Sequence, residues 1–206
     1  MPTPTMLTTF TETYINFFFI LTPFFVISMF LALTVDMPKE KQRITAVRTT
    51  FAVIVAAFTL FYFGNTLFAI FGITLDAFRI GSGALLFLSA VHLIQGTKKP
   101  IKNPDDIDED SDISVVPLAI PVVIGPATIG TLLITGAQIT DTSTRIASSF
   151  GLLAAILSVG FLLFIAPQIQ RLIGTIGLSI MSKISGLILS ALSAQIMFTG
   201  IKNFLF

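Results

Sequence analysis

Residues 114–136 read SVVPLAIPVVIGPATIGTLLITG and carry no charged side chain. As a helix, a run of this length crosses roughly 30 Å of hydrocarbon. The same run contains Pro117, Pro121, Gly125, Pro126 and Gly130. An internal proline lacks the N–H that bonds the preceding turn, and its ring clashes with the carbonyl four residues back. A regular helix is therefore expected to fail over 124–127. Within a bilayer such a break persists only where protein or a water-lined cavity satisfies the freed backbone groups. The break is a candidate binding site.

The whole chain has the same character. Of 206 residues, 54% are hydrophobic and 11% charged, and the mean hydropathy is +0.93, far more apolar than an ordinary globular domain. It reads as an integral membrane protein in contact with a lipid bilayer. A net charge of +1, with lysines and arginines scattered between apolar runs, excludes the basic field that nucleic acid requires. Without cysteine there is no disulfide framework and no thiolate chemistry. The first residues hold no Lys or Arg and no small-residue cleavage site follows, so the first apolar run is expected to stay in the protein.

Uncharged runs place six spans, at 10–33, 49–71, 79–96, 114–136, 146–165 and 183–201. The apolar stretches 71–79 and 167–183, rich in Gly and Thr or Ser, read as short interfacial or partly wound segments. Between the third and fourth spans, Lys98, Lys99 and Lys102 precede Asp105, Asp106, Asp108, Glu109, Asp110 and Asp112. This solvated linker, 97–113, divides a first half, 1–96, from a second, 114–206, within one membrane domain. With the N-terminus outside, the inward loops collect Lys39, Lys41, Arg43, Arg48, the linker lysines, Arg171 and Lys183, leaving Arg79, Arg145 and Lys202 outside. The excess of inward positive charge predicts that both termini face away from the cytoplasm.

Comparison of the halves finds a repeat. Thr22-Pro23 aligns with Gly125-Pro126, and Ser28 then falls on Thr131. At an offset one residue longer, Arg79-Ile80 falls on Lys183-Ile184, Leu88-Ser89-Ala90 on Leu192-Ser193-Ala194, and Gly96 on Gly200. Three spans per half is an odd number, so the second copy enters the membrane inverted. The expected fold is thus all-α, with six transmembrane helices in two inverted three-helix repeats, helices one and four being broken at Pro/Gly. Such repeats point to a secondary transporter with a site near the midplane.

Pro117-Leu-Ala-Ile-Pro121 followed by Ile124-Gly125-Pro126 resembles the fourth-helix signature of the MarC family of integral membrane proteins, and the six-span layout covers essentially the whole chain. The resemblance implies a bacterial or archaeal inner-membrane protein with paired helix breaks, and some members are described as transporters of small neutral amino acids. The family's fourth helix usually reads Gly-Pro-Gly, where this chain has Ala127. Its first helix usually reads Asn-Pro with further Gly, Asn and Pro beyond, where this chain reads Thr22-Pro23-Phe24-Phe25-Val26-Ile27-Ser28 and retains only the first proline.

A half-helix starting after Pro126 would turn the free amides of Ala127 and Thr128, the Thr128 hydroxyl and a partial positive charge towards a carboxylate. The half-helix after Pro23 would offer the amides of Phe24 and Phe25, whose rings wall the cavity. Carbonyls released before the breaks, at Leu21 and Ile124, would suit an ammonium group. The candidate substrate site is therefore Leu21, Thr22, Pro23, Phe24 and Phe25 with Ile124, Gly125, Pro126, Ala127 and Thr128. Intramembrane polar residues add a candidate pathway of Asn16, Asn65, His92, Gln95, Ser193 and Gln195, although helix-to-helix hydrogen bonding is the commoner role of Ser and Gln in such places. If a proton is the coupling ion, His92 is the leading carrier; sodium is the other candidate.

Enzymatic activity is not expected. A hydrolase needs a nucleophile and a base, and the chain has no Gly-x-Ser-x-Gly elbow, no His-Glu-x-x-His pair and a single histidine. Asp106-Ile-Asp108-Glu-Asp110 opens like a calcium loop, but Ser111 stands at the turn glycine and Pro117 at the closing glutamate. No cofactor or metal is implied. Ser182, Gly186, Ser190 and Ala194 form a small-residue seam suited to close packing within the protein or to a dimer. The expected function is a transporter of small neutral solutes, neutral amino acids first, rocking one repeat against the other. The alternatives are an exporter of drugs or metabolites, and a transport-inactive protein acting through a partner.

Overall fold

The computed structural model describes residues 6–95 and 114–205, with side chains placed except at 64, 65, 67, 114–117, 121 and 126. The charged linker lies outside the described residues. What is described is helical throughout: α1 (Met6–Ile20), α2 (Pro23–Leu33), α3 (Lys39–Phe71), α4 (Leu75–Gln95), a π-helix (Ser114–Val123), α5 (Pro126–Gln138), α6 (Thr142–Phe164) and α7 (Ala166–Leu205).

Both expected breaks occur, each immediately before a proline. In the first span, α1 and α2 meet at a bend of 42°. The Leu21 amide still reaches back to the Phe17 carbonyl, at 2.9 Å, but the Thr22 amide closes on Phe19. Thr22 then takes a left-handed conformation, φ 47°, and Pro23 restarts the helix at a position where its missing N–H costs nothing. In the fourth span Gly125 is extended, with φ −79° and ψ 173°, and Pro126 opens α5.

The segment before Gly125 departs from expectation. It is wound as a π-helix, and the Ile124 amide bonds the Ala119 carbonyl five residues back at 2.9 Å. The prolines at 117 and 121 supply a reason in the sequence: proline has no N–H to give to the carbonyl four residues back, so the regular α-helical ladder is not available to this segment. The fourth predicted span is accordingly two short helices.

The spans also start and stop elsewhere than predicted. Charge marks no helix boundary at an interface, so α3 begins at Lys39 and carries its cations along its first turns. Helix α4 starts at Leu75, with Asp76 in the first turn where the helix dipole favours an anion. Within the predicted interfacial stretch 167–183 the chain kinks at Gly174, φ 68° and ψ 174°, so α7 consists of a short helix before that residue and a long one after it. Asp141 caps α6 by accepting from the Thr144 amide at 3.0 Å. Hydrogen bonds, first from the Ser143 hydroxyl, hold its carboxyl below the ordinary range.

By length and apolarity, residues Lys39–Phe63 of α3 together with α4, α6 and α7 can each cross a membrane, and the bent α1–α2 pair makes a fifth candidate. Val47, Phe51 and Val55 on α3 and Phe150, Leu157 and Phe161 on α6 are exposed, an outer surface suited to lipid rather than water.

The most extensive contacts lie between α4 and α7, then between α1 and α6 and between α3 and α5; α4 also meets α5, α2 meets α7, and α3 meets both α6 and the π-helix. Nearly all of this packing joins an element before the linker to one after it. Small residues permit the approach. A methyl group built on Gly136 of α5 would stand 1.8 Å from the Phe61 carbonyl oxygen of α3, and one on Gly186 of α7 would stand 3.0 Å from the Ala90 carbonyl oxygen of α4. The Gly186 part of the small-residue seam is thus packing inside the protein.

Candidate functional site

The paired breaks come together. Leu21, beside the first, and Val123, beside the second, line one recess of about 10 Å³ with Thr49, Thr50 and residues of α6. That space is about one water molecule. The Thr49 hydroxyl at its edge is fully buried and, among the described residues, the one such side-chain polar atom without a hydrogen-bond partner.

The residues predicted to bind substrate lie in the packed interior. Leu21, Ile124, Ala127 and Thr128 are 5% exposed or less, Pro23 is buried, and Thr22, Phe24, Phe25 and Gly125 are half-buried; the Pro126 side chain lies outside the described residues. The Thr128 hydroxyl is directed back to the Val123 carbonyl at 3.4 Å. Phe24 packs on the larger apolar core and Phe25 on a second one.

That second core separates two clefts. It consists of Leu86, Ala90 and Leu93 of α4, Ala127 of α5 and Leu189 of α7, with Phe19, Phe25, Leu192 and Ile196 against it. The first cleft, of about 440 Å³, is lined by Thr13, Asn16 and Ile20 of α1, Arg79 of α4, Thr131, Thr135 and Gln138 of α5, and Gln195 and Thr199 of α7, with Leu192 and Ile196 at its apolar floor. The second, of about 840 Å³, is lined by Phe25, Ser28 and Met29 of α2, Lys39 and Gln42 of α3, Leu93 of α4, and Arg171, Thr175 and Ser182 of α7. The first takes the start of α4 and the end of α7; the second takes the opposite ends. They enter the molecule from opposite directions and stop at the same apolar layer, level with the breaks.

The predicted pathway residues divide accordingly. Asn16 and Gln195 line the first cleft. Ser193 is fully buried and donates to the Ser190 carbonyl at 2.7 Å. His92 is exposed in the last described turn of α4 and is not among the residues lining either cleft. Gln95, the last described residue of α4, is exposed as well. The Asn65 side chain lies outside the described residues.

Arg79 is the residue that sequence reading missed. The uncharged run puts it at a span end, whereas it lies one turn inside α4 with a side chain 13% exposed, paired with Asp76. The Gln138 amide oxygen, in the orientation that satisfies both groups, accepts from Arg79 Nε at 3.0 Å and also from Nη2. Asn203 of α7 donates to the same Asp76 at 3.4 Å. An Asp and an Arg three residues apart at a helix start was the available signal.

A profile of the MarC family integral membrane proteins matches residues 7–205. The chain belongs to the MarC family. Its MarC relatives include a UPF0056 membrane protein of Methanocaldococcus jannaschii, 31% identical over 91% of this chain and 93% of the relative. Another from Aquifex aeolicus is 31% identical over 95% and 94%, and the UPF0056 membrane protein YhcE of Escherichia coli is 28% identical over 92% and 90%. No solved structure matches this MarC chain.

Proposed function

We propose that this MarC protein is a secondary transporter of small neutral solutes, neutral amino acids first, working by alternating access. The observation that carries the reading is the pair of clefts, opening in opposite directions and closed from each other by the layer of Phe25, Leu86, Ala127 and Leu189. An alternating-access protein needs two vestibules and a barrier between them. In this reading the chain has six spans in two inverted repeats, the π-helix and α5 forming the fourth. The reciprocal packing supports it: exchanging the halves turns α1 on α6 into the π-helix on α3, and α2 on α7 into α5 on α4.

The second cleft would face the cytoplasm of the inner membrane, both termini lying on the other side. Lys39, Arg43 and Arg171 gather around its mouth and an adjoining pocket, as the positive-inside rule requires. Purified protein in liposomes should exchange radiolabelled alanine or glycine across the membrane by counterflow. Vesicles that behave like protein-free ones with both solutes would defeat the reading. A transport-inactive role draws on one observation, that Phe24 and Phe25 fill the space beside the first break; inert vesicles would favour it.

A further inference from the structure

Lys39 opens α3 and Arg43 follows four residues on, so the two cations share one face of the helix. Like charges at that spacing repel. Arg171 of α7 joins them: all three line one pocket of about 100 Å³ between α2, the start of α3, the end of α6 and the start of α7. No acid lines it. Among the described residues none of the three cations forms an ion pair, and Asp36 and Glu40, the acids nearest in the chain, are exposed outside the lining. Gln42, in the pocket wall, donates its amide to the Thr34 and Met37 carbonyls at 2.8 and 3.2 Å, which ties the α2–α3 turn and fixes where Lys39 and Arg43 stand.

The group that this pocket would satisfy is an anion. Arg43 is positioned without being used up: its Cζ lies 5.2 Å from the centroid of the Phe164 ring, a cation–π contact that leaves the N–H donors free for phosphate oxygens. Helices α3 and α7 both begin here, which adds the positive ends of two dipoles. The space is well below the roughly 300 Å³ of a small-molecule site, and suits a head-group phosphate rather than a whole solute. The pocket also opens at the end of an apolar face. On α3, Val47 and Phe51 continue the exposed side beyond Arg43, and on α6, Phe161 and Leu157 continue it from Phe164. Thr50 of α3 packs where a side chain on Gly160 of α6 would stand. The two helices therefore touch, and because they run in opposite directions both rows fall on the same outer side.

We propose that this pocket binds the phosphate of an anionic phospholipid, with Lys39, Arg43 and Arg171 on the head group and an acyl chain laid along Val47, Phe51, Phe161 and Leu157. Basic pockets between membrane helices hold such head groups, and here the cations and the apolar rows are continuous, which selects a lipid over a soluble phosphate. A zwitterionic head group would bring its own cation towards three others with no acid to meet it. The site goes beyond the transporter reading and holds whether or not the protein moves a solute. It takes from that reading only the leaflet, the one at which the second cleft opens, since Lys39 and Arg171 line that cleft too.

The test is thermal unfolding of the delipidated protein in a neutral detergent, with dioleoyl phosphatidylglycerol, dioleoyl phosphatidylcholine and inorganic phosphate as probes. Phosphatidylglycerol should raise the melting temperature in a saturable way, and neither of the others should do so at the same concentration. Arg43→Gln should weaken the apparent affinity for phosphatidylglycerol by about tenfold or more, the usual loss on removing a hydrogen bond to a charged group. Arg171→Gln leaves the contact of Arg43 with Phe164 in place and gives the same reading where the first variant folds poorly. Lys41→Gln removes one exposed charge from the same turn of α3 as Lys39, outside the pocket, and should leave the affinity nearly unchanged. Protection by phosphatidylglycerol no greater than that by phosphatidylcholine overturns the site. Equal protection by inorganic phosphate makes the pocket a soluble-anion site and overturns the lipid, and equal weakening by Lys41→Gln and Arg43→Gln reduces it to diffuse surface charge. Protection by phosphatidylglycerol without counterflow supports the site while defeating the transporter reading; counterflow without that protection does the reverse.

Discussion

Thr22 is the one non-glycine residue with a positive φ among the described residues, at 47°. A β-branched side chain there crowds the backbone by about 1–2 kcal/mol, and asparagine visits this region far more readily. Its side chain makes no capping hydrogen bond that would offset the strain. Thr22→Asn is expected to raise the unfolding free energy by about 1 kcal/mol, read as a higher melting temperature in detergent; a fall would show that Thr22 makes a stabilising contact unrelated to its backbone. The location of this strain was legible in the sequence, because proline acts through its own covalent structure wherever it stands: Pro23 and Pro126 fix both breaks without reference to any neighbour. Arg79, Thr131, Thr135 and Gln138 were not legible as a group. They lie on two helices, and only tertiary packing brings them to one cleft. Polarity in an apolar run singles out Asn16, Gln195 and His92 alike, but that signal does not say which face of the helix a residue occupies: the first two line the first cleft and His92 does not.

At the scale of elements, composition located the apolar runs while interfacial charge obscured their ends. Lys39 to Arg48 reads as a loop by charge, yet α3 passes through it. The π-helix was invisible for a different reason. Proline forbids the α-turn locally but does not say whether the chain will unwind or widen, and contact with α3 accompanies the widening. Where α5 crosses α3, the backbones approach so closely that Gly136 has room for hydrogen alone. The obstacle is the Phe61 carbonyl oxygen, which is backbone and cannot rotate away as a side chain would. Gly136→Ala should therefore destabilise the protein by about 1–3 kcal/mol through forced separation of the two helices, measurable as a lower melting temperature. An unchanged value would mean that α5 and α3 are less tightly apposed than this packing indicates.

The whole molecule bears on which parts can move. The sequence suggests rocking of one three-helix repeat against the other, but in the folded chain the helices of the first half pack principally on those of the second, and the longest contact, α4 with α7, crosses between them. A half with so little packing of its own has nothing to hold it rigid. The second apolar core is built chiefly on α4 and the later turns of α7, and the larger one on α1, α2, α3, the π-helix, α5 and α6 together with Ala166 and Leu178 in the first part of α7, so the division suggested is α4 with the later part of α7 against the remainder, with both clefts along the seam. This makes a prediction that separates the two motions. The chain has no cysteine, so spin labels attach only where cysteines are introduced, and Leu85 on α4, Leu187 on α7 and Leu157 on α6 are all exposed. On adding saturating alanine, the Leu85–Leu187 label distance should hold while the Leu85–Leu157 distance shifts. Repeat-against-repeat rocking requires the opposite for the first pair, since α4 and α7 belong to different halves; a shifted Leu85–Leu187 distance would therefore reject the α4–α7 unit as the moving body.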